Sequence, residues 1–305
     1  ELISKKYIVS ILSPRDKFTE NLIKVGCKFY EIKLSRSNIN LFKNFFLFIK
    51  YFIIIKKINP NLIFSYTIKP NIYTALVAKI LKIKIYNTIT GLGSSFLGNI
   101  LIKLLIILFY RFCLKKSNLL IFQNNHDKEL FIKYKILKNQ KSVIIPGSGV
   151  DTNYYYYTKK QKNSFTNFLF IGRIIKDKGV YELINAFEYF KKKNLNVQLF
   201  LLGQPDSDNP SNISISKIKE WEKRKILIFL GYSKDVRKFI IECDCVILPS
   251  YREGISKSLL EASSVGRPII TTNVPGCKDI VDDKIKGLLC KIKDVNDLIK
   301  KINNK

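Results

Sequence analysis

Residues 167–193 read NFLFIGRIIKDKGVYELINAFEYFKKK. An apolar run stops at Gly172, a polar loop carries Arg173 and Lys178, and from Gly179 apolar side chains recur every three or four residues as far as Lys193. A strand covered on both faces reads as unbroken Ile, Leu and Phe, whereas the helix that crosses over it shows a 3.6-residue period. Strand, glycine turn and amphipathic helix in that order make the first half of a βαβ unit.

The same alternation continues in both directions. Downstream, strands are expected over 197–202, 226–230, 244–248 and 268–272, with helices over 216–223, 234–242, 256–265 and 277–281. Upstream, strands over 7–12, 62–66, 83–88, 119–123 and 142–145 alternate with helices over 17–25, 41–58, 72–81, 100–115 and 128–134. Two such series imply two doubly wound α/β domains, each around a parallel sheet. Periodicity lapses in the polar, Tyr-rich residues 151–166, which divides the chain into domains of residues 1–160 and 161–305. The tyrosines 154–157 read as a linker packed on a domain edge or as an aromatic stacking platform.

Composition narrows the class. With 305 residues, 47% apolar and 25% charged, the chain is too apolar for disorder. The 53 basic against 24 acidic residues give +29, and residues 1–160 hold 27 of the basic and only 7 of the acidic ones. Such a half attracts polyanions. No nucleic-acid recognition motif accompanies it, and Lys far outnumbers Arg, so an anionic membrane surface is the preferred partner and nucleic acid is not expected. The helices at 41–58 and 100–116 carry Phe, Leu and Ile faces edged with Lys, suited to lying on an interface or to a core. Neither offers the roughly 18 to 20 unbroken apolar residues of a spanning helix. The leading residues hold no signal-type apolar stretch. Six cysteines without a C-x-x-C pair suit reduced thiols in the cytoplasm, and Cys243-Asp244-Cys245 fits a buried strand better than a metal site.

Two constellations carry chemistry. Gly172-Arg173 followed by Lys178-Gly179 joins a fork-shaped cation to a point charge on one loop, which makes either a diphosphate clamp or a solvated pair. The run 248–262, LPSYREGISKSLLEA, ends a strand, opens a loop at Gly254 and starts a helix. Glu253 and Glu261 lie about two helical turns apart beside that helix start, where amides bind anions and carboxylates accept from vicinal hydroxyls. The lone histidine, His126, reads as a cap or surface residue, and Asp206-Ser207-Asp208 before Asn209-Pro210 as a turn.

Taken together, Gly172-Arg173 with Lys178-Gly179, the E-x7-E of Glu253 and Glu261, and residues 266–277 (GRPIITTNVPGC) resemble the retaining GT-B glycosyltransferases of family four. Residues 66–73 (YTIKPNIY), 90–96 (TGLGSSF), 122–124 (FQN) and 147–151 (GSGVD) are similar to a bacterial subgroup of it. The resemblance implies two Rossmann-like domains facing a cleft, and transfer of a hexose or N-acetylhexosamine from a UDP-sugar to a lipid-diphosphate-linked glycan of a surface polysaccharide. Arg173 and Lys178 would then hold the donor diphosphate, with Gly172 turning the loop. Glu253 would meet the sugar hydroxyls, the amides of Gly254, Ile255 and Ser256 the sugar or phosphate, and Glu261 the ribose. Lys69, Gly91 and Gly93 are the candidates for acceptor contact. No metal or other cofactor is expected, and the location implied is the inner face of the cell membrane, peripherally. Relatives begin with a strand ahead of the equivalent of Tyr7, and close with helices beyond that of Leu298, which makes a shortened enzyme or a non-catalytic nucleotide-sugar-binding protein the alternative.

Overall fold

In the computed structural model the described residues are 1–34, 41–92, 100–160, 165–281, 285 and 287–304. The chain opens with β1 (Ser10–Ser13), α1 (Thr19–Lys24) and β2 (Lys28–Glu31), whose strands pair in parallel as a separate two-stranded sheet. There follow α2 (Leu41–Ile58), β3 (Leu62–Tyr66), α3 (Ile68–Leu81), β4 (Lys84–Ile89), α4 (Ile100–Cys113), β5 (Leu119–Phe122), α5 (Asn125–Lys133) and β6 (Lys141–Ile144). Strands β3-β4-β5-β6 form a parallel sheet in that order.

The expected helix at 72–81 begins four residues early, at Ile68. Pro70 occupies its first turn, where a missing amide costs nothing because no intrahelical partner exists there. The residue before this helix, Thr67, has φ of 67°, a left-handed value costly for a β-branched side chain. Strand register is tied by a buried polar chain: Ser65 Oγ donates to Asn71 Oδ1 at 2.5 Å, Asn87 Nδ2 to Ser65 Oγ at 2.7 Å, and Ser117 Oγ to Asn87 Oδ1 at 2.6 Å. Around it pack Ile85, Leu120, Phe122 and Phe131, while Leu47, Tyr51 and Ile55 of α2 meet Val77 of α3 in a second cluster.

The second half contains β7 (Thr166–Ile171), α6 (Val180–Lys192), β8 (Val197–Leu202), α7 (Ile215–Lys223), β9 (Ile228–Gly231), α8 (Arg237–Glu242), β10 (Cys245–Leu248), α9 (Lys257–Val265), β11 (Ile269–Thr272), β12 (Gly287–Cys290) and α10 (Val295–Asn303). Its six strands are all parallel, in the order β12-β11-β10-β7-β8-β9. That is the doubly wound arrangement, with chain direction across the sheet reversing between β7 and β10. Helices cover a continuous apolar core that includes Phe168, Phe170, Phe187, Leu201, Val246 and Leu259.

Residues 277–281, expected to be helical, instead make successive turns, with Cys277 N donating to Val274 O and Ile280 N to Cys277 O. The Asp279 carboxylate accepts from Gly276 N at 2.8 Å and bends the segment back on itself. The tyrosine-rich stretch behaves as a packed linker. Tyr155 lies against the second core, Arg237 sits 4.3 Å from the Tyr154 ring centre, and the buried Arg267 donates to Thr158 O at 2.8 Å.

Candidate functional site

Loops leaving the C-terminal ends of two strands diverge where strand order reverses, and the gap between them is where such sheets bind ligands. Here those loops are Gly172–Lys178, after β7, and 249–256, after β10. A short 3-10 turn, Lys176–Lys178, brings the first loop to Gly179, whose φ is 71°. A Cβ on Gly179 would stand 2.9 Å from Pro249 Cγ and closer still to the Pro249 carbonyl, so only glycine lets the two loops touch. They are then stitched together: Tyr251 N donates to Asp177 O at 2.9 Å and Ser250 Oγ to the same oxygen at 3.3 Å.

This brings Lys178 and Glu253 into one largely buried ion pair, with 17% and 12% of the two side chains exposed. Arg173 stands on the same loop, half exposed, with Nη1 2.6 Å from Asp206 Oδ2. Asp206 opens the expected turn, since Asn209 N donates to its carbonyl at 2.9 Å. Cys277 lies beneath; burial, reinforced by the Glu253 carboxylate, pushes its thiol up to about 12, so it is a neutral neighbour.

Glu261 is buried in the second turn of α9, beside Tyr155 and 3.7 Å from Lys257 Nζ. Burial raises its pKa, partly offset by Tyr155 and Lys257. One expectation fails here. The Ser256 amide is not available to a ligand, because it donates to Gly276 O at 3.2 Å. Ser256 makes no side-chain cap, so the α9 amides that follow it are the ones left for an anion. Ile255 sends its side chain toward Gly147, where an added Cβ would lie 3.3 Å away.

Across the crevice stand the C-terminal ends of the first parallel sheet. Gly91, after β4, meets Gly254 backbone to backbone: a Cβ on Gly91 would be 2.9 Å from Gly254 N, and one on Gly254 would be 2.6 Å from Thr90 O. After β5, Asn124 Nδ2 donates to Gly254 O at 2.9 Å, and Asp127 pairs with Arg252. From the first loop of the chain, Lys17 Nζ lies 3.0 Å from the centre of the Tyr232 ring. Lys69 is in the first turn of α3, after β3 on the same edge, where burial lowers its pKa. Gly93 falls outside the described residues. His126 is exposed in the first turn of α5, whose cap is Asn124.

Of the residues that sequence reasoning placed in one crevice, Lys178 and Glu253 pair directly, Arg173 stands on the Lys178 loop with Asp206 as its partner, and Glu261 lies in α9 beside Lys257. The same reasoning missed Asn124, Asp127, Arg252 and Tyr155. Asn124-x-x-Asp127 does carry a helix-start signal, since each side chain can satisfy the other's backbone end.

Residues 1–124 match the family model described as Glycosyl transferase 4-like, and residues 158–304 the model described as Glycosyl transferases group 1. An N,N'-diacetylbacillosaminyl-diphospho-undecaprenol alpha-1,3-N-acetylgalactosaminyltransferase of Campylobacter jejuni is 29% identical over 322 residues, covering 99% of this chain and 82% of that protein. A UDP-Gal:alpha-D-GlcNAc-diphosphoundecaprenol alpha-1,3-galactosyltransferase of Escherichia coli is 24% identical over 274 residues, 86% of this chain and 70% of that one. Among solved structures, Anabaena HepE in complex with UDP and glucose superposes with a TM-score of 0.74 at 17% identity, covering 99% of this chain and 83% of that one. Sucrose-phosphate synthase of Thermosynechococcus elongatus reaches 0.77 at 17% identity, over 99% and 80%.

Proposed function

The chain belongs to the GT-B glycosyltransferases of family four, and from that premise we propose that it moves a hexose or N-acetylhexosamine from a UDP-sugar to a lipid-diphosphate-linked glycan, with retention at the anomeric carbon. The observation that carries the reading is the Lys178–Glu253 pair at the strand-order reversal, with Arg173 on the same loop and Glu261 eight residues further on. Two cations and two carboxylates in one crevice match the two phosphates and the vicinal hydroxyls of a nucleotide sugar.

On this reading the donor exchanges partners within the site. Its β-phosphate takes Lys178 from Glu253, and the released carboxylate accepts from sugar hydroxyls. Arg173 turns from Asp206 to phosphate oxygens, a short move for a half-exposed side chain. Glu261 accepts from the ribose in competition with Tyr155. As the bond from the anomeric carbon to the phosphate oxygen breaks, negative charge grows on the β-phosphate. Fixed cations and helix amides stabilise that charge more in the transition state than in the ground state. The acceptor oxygen bonds to the anomeric carbon on the face the phosphate leaves, and its proton passes to the departing phosphate oxygen.

Residues 1–160 make the acceptor domain and 161–305 the donor domain, with Lys69 and Gly91 on the acceptor side of the crevice. The first domain also supplies a docking face for an anionic bilayer. Helices α2 and α4 both pack on α3. They leave Phe42, Phe45, Phe46, Leu101, Leu108 and Phe112 exposed, with Lys43, Lys50 and Lys103 along the same helices. Among the described residues no helix is long and apolar enough to cross a membrane, which leaves these two to lie along the interface.

The test is mass spectrometry of reactions containing a panel of UDP-sugars and a short-chain lipid-diphosphate acceptor, alongside calorimetry with UDP. A product heavier than the acceptor by one hexosyl or N-acetylhexosaminyl residue is expected. Absence of both product and UDP heat, from folded protein, overturns the reading.

A further inference from the structure

Asp127 and Arg252 come from opposite sides of the crevice, 125 positions apart in the chain. Asp127 is fully buried, and 12% of the Arg252 side chain is exposed. The Asp127 backbone is already served, because its amide donates to Asn124 Oδ1 at 2.8 Å as part of the α5 cap. Capping does not require Arg252. Nor does Arg252 gain full satisfaction, since its buried Nε has no hydrogen-bond partner. A guanidinium held at the cost of an unsatisfied donor is set by position rather than by hydrogen-bond count.

Arg252 immediately precedes Glu253, and the next residue, Gly254, is gripped from the first sheet by Asn124 and faced by Gly91. We propose that the Asp127–Arg252 pair is a positioning device: the acceptor side of the molecule uses it to fix the Arg252–Glu253–Gly254 segment, and so the Glu253 carboxylate, at the distance the transfer step needs. The inference rests on the donor reading given above for Glu253. Asp127 touches neither donor phosphates nor sugar in that reading. Asp127 Oδ2 also accepts from Asn124 Nδ2 at 3.3 Å, so its removal acts on the segment through Arg252 and Asn124 and not through a contact to the nucleotide.

The experiment compares the parent chain with Asp127→Asn, Arg252→Met, Arg252→Lys and the double variant Asp127→Asn/Arg252→Met. It reads kcat and KM for UDP-sugar at saturating acceptor, UDP affinity by calorimetry, and the melting temperature. A misplacement of about 1 Å at a reacting group costs about 100-fold in rate, and that is the loss of kcat expected for Asp127→Asn. UDP affinity should stay within about threefold, since the segment that moves contacts the sugar and not the nucleotide in that reading. Because the two residues act as one unit, the double variant should be no slower than the worse single one. Arg252→Lys, which keeps the cation, should fold and recover much of the rate.

The proposal is overturned if Asp127→Asn leaves kcat unchanged, if kcat and UDP affinity fall together, or if the two single losses multiply in the double variant. Should Asp127→Asn fail to fold, the Arg252 variants decide: a kcat loss in Arg252→Met that Arg252→Lys largely restores, with UDP affinity unchanged, supports the device, and parental kcat in Arg252→Met overturns it. Failure of the donor reading shows separately, as a parent chain that neither binds UDP nor transfers sugar.

Discussion

Replacing Arg173 by alanine separates catalysis from folding better than any other change at the site. The side chain is half exposed, and its ion pair to Asp206 spans 2.6 Å at the rim of the crevice. Although only 12% of the Asp206 side chain is exposed, solvent around the half-exposed Arg173 screens the pair to about 1 kcal/mol, so the melting temperature should fall by a few degrees. Catalysis is another matter. A preorganised donor aimed at charge that develops in the transition state is worth about 2.7 to 4 kcal/mol, or about 100- to 1000-fold in kcat. Arg173→Lys keeps the charge and loses the planar fork, so it should recover only part of that. Initial rates of sugar transfer and thermal melts in the same buffer give both numbers. A rate within tenfold of the parent, or a rate loss that simply follows the loss of folded protein, refutes the role given to Arg173.

Other outcomes follow from the same geometry. Glu253→Gln should abolish measurable transfer while UDP still binds, because the nucleotide does not depend on the carboxylate that faces the sugar; calorimetry beside the transfer assay checks it. Gly179→Ala forces a methyl group into the Pro249 carbonyl at φ of 71° and should destabilise the fold by about 1 to 3 kcal/mol, read by denaturant titration. Burial raises the Glu261 pKa above the ordinary 4.5. Folding therefore holds its proton more tightly than the unfolded chain does, and the contribution of Glu261 is fully present below 4.5 and lost as pH rises through the higher folded value. Glu261→Gln should remove that segment of the stability–pH curve, and parallel curves for parent and variant would refute it. Phe45→Asp with Phe46→Asp should cut sedimentation with anionic vesicles at low salt, with neutral vesicles as the baseline; equal binding by parent and variant would remove α2 from the docking face.

Much of the fold is legible in the sequence, because parallel strands announce themselves as apolar runs. Helix α2 lies where periodicity puts it, as do β3 and β8. Strand β2 escaped notice because only Phe29 and Tyr30 are half buried, between exposed Lys28 and Glu31. Helix α10, VNDLIKKIN, carries Val295, Leu298, Ile299 and Ile302 at helical spacing against the core, a signal the sequence does contain although none of the expected helices covers it. The segment 277–281 misled differently: it is apolar enough for a helix, but the Asp279 carboxylate accepts from Gly276 N, three residues back, and the segment makes turns. The site divides in the same way. Arg173, Lys178, Glu253 and Glu261 belong to local strand–loop–helix units that spacing reveals. Asp127, Arg252, Asn124 and Tyr155 acquire their partners only when distant parts of the chain are brought together, and no local pattern encodes that.

The six parallel strands of the second half keep their hydrogen-bonded ladder below the loops that carry Arg173, Lys178 and Glu253. Alterations in those loops leave the ladder intact, so the saccharide accepted can drift by single substitutions while the scaffold stays as it is. An architecture of this kind lets descendants change what they bind without first inventing a new protein.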